Sequence, residues 1–176
     1  MIPSPPRVGT AGWSVPSRYA AAMPSGGSNL ERYARRLNAV EINSSFYRPH
    51  RRTTDGFFRD LRARIDAPVA FEPRNASWFT PDVDIWLAER RIARVAADPA
   101  TVIAAGEPGG WRGLAYFRWH GAPRMYFSDY EPAALASLKR RLDEPRAHGI
   151  PTWCIFDNTG SGAALGNALA LAPTLA

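Results

Sequence analysis

Apolar runs that finish on charged or amide side chains recur five times along this chain. AVEINSSFYR (39–48) carries Glu41, Asn43 and Tyr47. APVAFEPRN (67–75) carries Glu72 and Arg74. ARVAADP (93–99) ends at Asp98, GLAYFRWHG (113–121) carries Arg118 and His120, and TWCIFDNTG (152–160) carries Asp157 and Asn158. Buried strands that repeatedly end on polar side chains are how a parallel α/β sheet or barrel builds a site at its carboxyl edge.

Helical periods separate these runs. Leu30, Tyr33, Ala34 and Leu37 share one face of a predicted helix over 30–40, with Ser28 or Asn29 as its cap. Phe57, Phe58, Leu61 and Ile65 do the same over 55–65. Thr80 as N-cap and Pro81 at the first helical position open a third helix. A fourth starts at Glu131 and is expected to stop near Pro145, and a Gly/Ala-rich fifth closes the chain. An additional short strand is expected within 7–15. The alternation predicts six strands in a parallel sheet with right-handed crossovers. No repeat or shift of composition divides the chain, so residues 1–176 read as a single domain.

Composition narrows the class. With 176 residues and 45% hydrophobic positions the chain can bury a core. The net charge is +6, and all but one of the 22 basic residues are arginine, Lys139 being the exception. Arginine binds phosphate and carboxylate bidentately, although an Ala/Arg/Gly/Pro-heavy composition also follows from a GC-rich genome. Cys154 is the single cysteine and lies in an apolar run, so it reads as packing in a reducing compartment. No stretch approaches the length of a membrane helix, and MIPSPPRVG has no signal-peptide core. A cytoplasmic protein without a membrane partner is the expectation.

Seven strings then occur in a telling order: GTAGWSVP, VEINSSFYRP, FEPRNASWF, AAD after a helix, YFRWHG, YFSDY and FDNTGSGAALGNALAL. Together they resemble the DUF72 family, also called YecE-like proteins, from about Gly9 to the C-terminus. The resemblance implies a TIM-barrel-like (β/α) fold and no established activity. The chain departs from the family near residues 54–55. Thr53-Thr54 runs almost directly into DGFFRDLRARIDAPVAFEPR, and two strands usual in the family, one with a K-x-P motif and one ending Q-L-P-P, are missing. A complete barrel takes about 250 residues, about 200 at least. About six β/α units are therefore expected here, as a natural deletion, a degraded copy, a sequence from which a segment near 54–55 has been left out, or a sheet closed by a partner such as a second copy of the chain.

The strand-end residues carry the candidate chemistry. Glu41 and Asn43 share a strand face, as a site or as a polar interior layer. Glu72 beside Arg74 is a base next to an anion-binding guanidinium, or an internal salt bridge. Trp78 is a pocket wall or core. Arg118 and His120 repeat the spacing, with His120 as general acid–base or as a structurally satisfied histidine. Asp157 and Asn158 close the last strand, where Asn158 can also cap a helix. Glu41, Glu72, Asp98, His120 and Asp157 also offer hard ligands for a divalent metal, but no H-x-H or H-x-x-x-H spacing supports one. Arg48, His50, Arg51 and Arg52 follow Tyr47 in a loop suited to a nucleic-acid backbone, or simply solvated.

The best sequence reading is a hydrolase of phosphodiesterase type acting on a phosphate-bearing substrate, a small molecule or nucleic acid. Glu41, Glu72, His120 and Asp157 are its expected catalytic residues. Asn43, Tyr47, Arg74, Trp78, Arg118 and Asn158 are its expected substrate contacts. The alternatives are a non-catalytic nucleic-acid or anion-binding module and an inactive copy.

Overall fold

Strand and helix alternate in the computed structural model, which describes residues 6–41, 54–64 and 66–175. β1 (Arg7–Ala11), β2 (Ala39–Glu41), β3 (Val69–Phe71), β4 (Ile92–Arg94) and β5 (Ala96–Asp98) come first. β6 (Gly109–Gly110), β7 (Ala115–Trp119) and β8 (Thr152–Phe156) follow. The helices are α1 (Asn29–Ala34), α2 (Thr54–Arg64), α3 (Pro81–Glu89), α4 (Pro132–Ala147) and α5 (Ala163–Leu171).

Two sheets, β2-β1-β8-β7-β5 and β3-β4-β6, form among the described residues. β4 and β5 belong to one apolar run interrupted at Val95, whose N–H donates to the Phe71 carbonyl at 2.9 Å. The run pairs with β3 at its start and with β7 at its end, parallel both times. The two sheets therefore continue into one another as β2-β1-β8-β7-β5/β4-β3, a TIM-barrel-like arc of six parallel strand positions among the described residues. Only β6 runs antiparallel to its partner there, β4.

One face of this arc is packed by helices. Val8, Ala96, Phe117, Trp119, Cys154 and Phe156 join Tyr33 and Leu37, Leu138 and Leu142 of α4, and Leu165, Ala168 and Leu171 of α5 in one core. A smaller cluster of Phe58, Leu87 and Ile92 seats α2 and α3 on β3 and β4. Residues of opposite parity, such as Tyr116, Arg118, Trp153 and Ile155, face the other way, toward the inside of the arc.

The expected caps form. Ser28 Oγ accepts from Glu31 N–H at 3.3 Å while Ser28 N–H donates to Glu31 Oε2 at 2.7 Å, a capping box. Thr80 Oγ1 accepts from Val83 N–H at 3.4 Å. Three boundaries differ from the periodicity. α1 ends at Ala34 instead of 40, because Asn38 leaves the helix to bind β1. Its Oδ1 accepts from Val8 N–H at 2.8 Å and its Nδ2 donates to Pro6 O at 3.0 Å. β2 consequently starts at Ala39 rather than 41. α4 runs through Pro145 to Ala147, so the proline sits in the last turn and the helix ends two residues beyond it.

Candidate functional site

Parity decides which strand-end residues meet. Arg118 pairs in register with Ala97 on one side and Ile155 on the other, all facing the interior of the arc. His120 and Asp157 lie two residues beyond Arg118 and Ile155, and Glu41 and Glu72 sit at the ends of β2 and β3. The structure brings Glu41, Glu72, Arg74, Arg118, His120 and Asp157 to one carboxyl edge.

Arg118 is the hub. Its Nη2 lies 2.7 Å from Glu41 Oε1 and its Nε 3.2 Å from Glu41 Oε2, a bidentate pair. Nη1 donates to Glu72 Oε2 at 3.0 Å, and Nη2 is also 3.1 Å from Asp157 Oδ2. The side chain is 9% exposed. Burial alone would weaken its charge, but Glu41, Asp157 and Glu72 outweigh it and hold the guanidinium more firmly protonated. Arg118 was expected to hold an anion. Its guanidinium is the cation around which the carboxylates of Glu41, Glu72 and Asp157 gather.

His120 is 0% exposed. Its Nδ1 lies 3.0 Å from Asp157 Oδ2 and its Nε2 2.9 Å from Glu72 Oε1. Two flanking carboxylate acceptors favour the doubly protonated ring. Burial pulls its pKa down, and the hydrogen bonds to Asp157 and Glu72 with the charge of Glu72 pull it further up, so the net shift is upward. Glu72 shows the complementary balance. Burial raises its pKa, while the hydrogen bond from His120 and the charges of His120, Arg118 and Arg74 outweigh it and hold the carboxyl below its usual range. Asp157, His120 and Glu72 thus form a chain of short polar contacts that leads from a buried carboxylate to the rim. Arg74 stands at its outer end, 45% exposed, 3.0 Å from Glu72 Oε1 and with Nη2 3.4 Å from His120 Nε2.

Tyr116 extends the hub inward. Its hydroxyl donates to Glu41 Oε2 at 3.2 Å and its ring stacks on Trp153 at 6.1 Å. Burial and the Glu41 charge push its pKa up, so it stays a neutral donor. Tyr116 was not anticipated, although its spacing of two from Arg118 put it on the same face.

Three expected members point elsewhere. Asp98 has the parity of Trp119 and turns to the helix side, where it accepts the Tyr130 hydroxyl at 2.6 Å. Asn158 is fully buried and donates to Ser128 O and to Asn167 Oδ1, both at 2.8 Å. Its amide nitrogen ties the β7 and β8 loops to α5. Trp78 packs edge-on against Phe71 at 5.1 Å and beside Trp86 at 6.1 Å, in the aromatic cluster over β3. Asn43, Tyr47, Arg48, His50, Arg51 and Arg52 lie outside the described residues.

No group of three or more His, Cys, Asp or Glu side chains among the described residues is arranged to hold a metal ion. The Arg118 guanidinium fills the space between the carboxylates. No helix among the described residues is long and apolar enough to cross a membrane.

The family model "protein of unknown function DUF72" matches residues 7–56 and 50–176. The chain belongs to the DUF72 family. Solved DUF72 structures share its fold. One from Enterococcus faecalis is 22% identical, with 70% of this chain and 54% of that chain covered at a TM-score of 0.58. One from Thermotoga maritima is 24% identical, with 68% and 50% covered at 0.56. At these identities the likeness is one of fold, and the chain spans about half the length of these DUF72 relatives. No curated protein matches it.

Proposed function

We propose that this chain is a hydrolase of phosphodiesterase type whose proton-transfer unit is Asp157–His120–Glu72 and whose anion contact is Arg74. One observation carries the reading: His120 is clamped between two carboxylates, and an exposed guanidinium stands at the outer end of that chain. The imidazolium is the proton reservoir. Glu72, ionised at the rim, relays the Nε2 proton of the imidazolium to the oxygen that leaves phosphorus. A water attacks from the opposite side, so that one P–O bond forms as the other breaks. The water's proton then returns to His120, and Asp157 holds the ring in place. Glu41 and Arg118 keep Glu72 and Asp157 fixed. Arg74 meets the phosphate of a small molecule or a nucleic acid.

The test is turnover of bis(p-nitrophenyl) phosphate and of a fluorescent single-stranded oligonucleotide, each with and without divalent metal. Release of p-nitrophenol or strand cleavage that disappears in Glu72→Gln supports the proposal. Folded protein that cleaves neither substrate overturns it. Salt-sensitive binding without cleavage would favour the second reading, a non-catalytic anion-binding module, for which the exposed Arg74 speaks.

We also infer that a family segment is absent near residues 54–55, close to where the matched stretches 7–56 and 50–176 overlap. A second copy of the chain is the partner we propose to cover the resulting gap. Light scattering that finds a monodisperse monomer would contradict that pairing.

A further inference from the structure

We propose that Tyr126 and Phe127 form a stacking platform for the base of a nucleoside phosphate, and so choose the substrate of the site. The inference rests on the anion reading of Arg74 given above. Tyr126 has a backbone φ of 68°, a region that glycine and asparagine occupy readily and a bulky aromatic residue seldom does. Strain of this kind persists where the surroundings fix it, and it clusters at ligand sites. Here the surroundings do fix it. Tyr126 N–H donates to His120 O at 2.5 Å, and Tyr126 O accepts from Gly160 N–H at 2.9 Å. The loop after β7 is thereby fastened both to the site histidine and to the turn after β8.

That fastening holds two rings in the open. Tyr126 is 41% exposed and Phe127 44%. The Tyr126 ring stands edge-on to His120, with centroids 5.8 Å apart. Phe127 lies over Gly160, where an added Cβ would come within 3.1 Å of its ring, so the glycine leaves the space that the ring fills. Arg124 covers part of Phe127 at 4.2 Å, a cation that adds to the attraction for a stacked, electron-rich base. Tyr126 and Arg74 both touch His120. A ligand that places phosphate on Arg74 therefore brings what it carries toward the rings, and a nucleoside phosphate matches both contacts.

Calorimetric titration with AMP, ribose 5-phosphate and adenosine tests this. Stacking on an aromatic side chain should make AMP bind about tenfold tighter than ribose 5-phosphate. Tyr126→Asn, which suits the same backbone, should abolish that difference and leave ribose 5-phosphate unchanged. Phe127→Leu should reduce it in part, and it carries the test if Tyr126→Asn fails to melt cooperatively. Arg74→Gln should weaken AMP and ribose 5-phosphate alike and leave adenosine unaffected. Equal binding of AMP and ribose 5-phosphate by the wild-type protein overturns the platform while sparing the anion site. Adenosine binding lost in Tyr126→Asn, with phosphate making no contribution, upholds the platform and overturns the anion reading. No binding of any of the three overturns both. A short oligo-dA that binds tighter than AMP assigns the platform to a strand, and one that binds more weakly assigns it to a free nucleotide; either result supports stacking.

Discussion

The two faces of the same strand ends handle polar groups in opposite ways. Inside the arc, the ionisable side chains of Arg118, His120, Glu41, Glu72 and Asp157 hold one another. One residue away, on the helix side, Asp98 and Asn158 hold neutral partners. Tyr130 donates to Asp98 and accepts Gly121 N–H at 2.8 Å, and Asn167 joins Asn158 to Asp129. The inner set is a network of ion pairs and hydrogen bonds whose exposed end is Arg74. The outer set is a clasp that fixes the adjoining loops. A side chain's type does not tell the two apart, since each face has an aspartate at a strand end. Parity and neighbours do.

Breaking the inner hub should have the largest effect. Arg118→Leu leaves Glu41, Glu72 and Asp157 crowded with too little positive charge. Removing one partner of a buried ion pair costs about 3–5 kcal/mol, and denaturant unfolding should show a loss of that order. The loss should shrink at low pH as the carboxyls protonate. A loss under about 1 kcal/mol, the range of surface pairs, would mean that the carboxylates are already relaxed in water and that the inner face is not a dry site.

Parity also explains how much could be read beforehand. The run-and-helix pattern was enough for six strand positions and for the capping of α1 and α3, because those signals are local. Glu41, Glu72, Arg74, Arg118, His120 and Asp157 were legible as strand-end residues. Asp98 was grouped with them because AAD was expected to present its aspartate at the rim. Which of Ala97 and Asp98 faces inward depends on pairing with β7, which no local signal reports. The partners of Arg118 are hidden for a different reason. An arginine looks like an anion binder until three carboxylates from other strands close on it. Tyr126 was passed over in a loop, since no sequence signal marks a tyrosine with positive φ. The two glycines of β6 sit in a Gly-rich loop and carry no strand propensity.

The pH dependence of stability sharpens the comparison, since the inner set carries the titrating groups. His120 has a raised pKa when folded. Its contribution is therefore complete below its unfolded value of about 6.5 and fades as pH rises through the higher folded value. Glu72 has a lowered pKa. Its contribution is present above an unfolded value of about 4.3 and fades as pH falls through the lower folded value. Melting temperatures across pH should decline at the alkaline side in the wild-type protein. The decline should flatten in His120→Gln, and the acid-side decline should flatten in Glu72→Gln. An alkaline limb that persists unchanged in His120→Gln would assign the titration to another group.

The same edit on the two faces gives the finest distinction. Tyr130→Phe removes the hydroxyl that donates to Asp98 and accepts from Gly121, and it leaves a carboxylate and a buried N–H without that partner. An unsatisfied buried polar group costs about 1–3 kcal/mol. Tyr116→Phe removes a single donor from Glu41, which keeps its two contacts with Arg118. A hydrogen bond whose acceptor remains satisfied is worth about 0.5–1.5 kcal/mol. Denaturant midpoints should therefore fall further for Tyr130→Phe than for Tyr116→Phe, although Tyr116 sits beside the denser cluster of charge. The reverse order would show that Arg118 alone does not satisfy Glu41. The inner network would then depend on its neutral donor as the outer clasp depends on Tyr130.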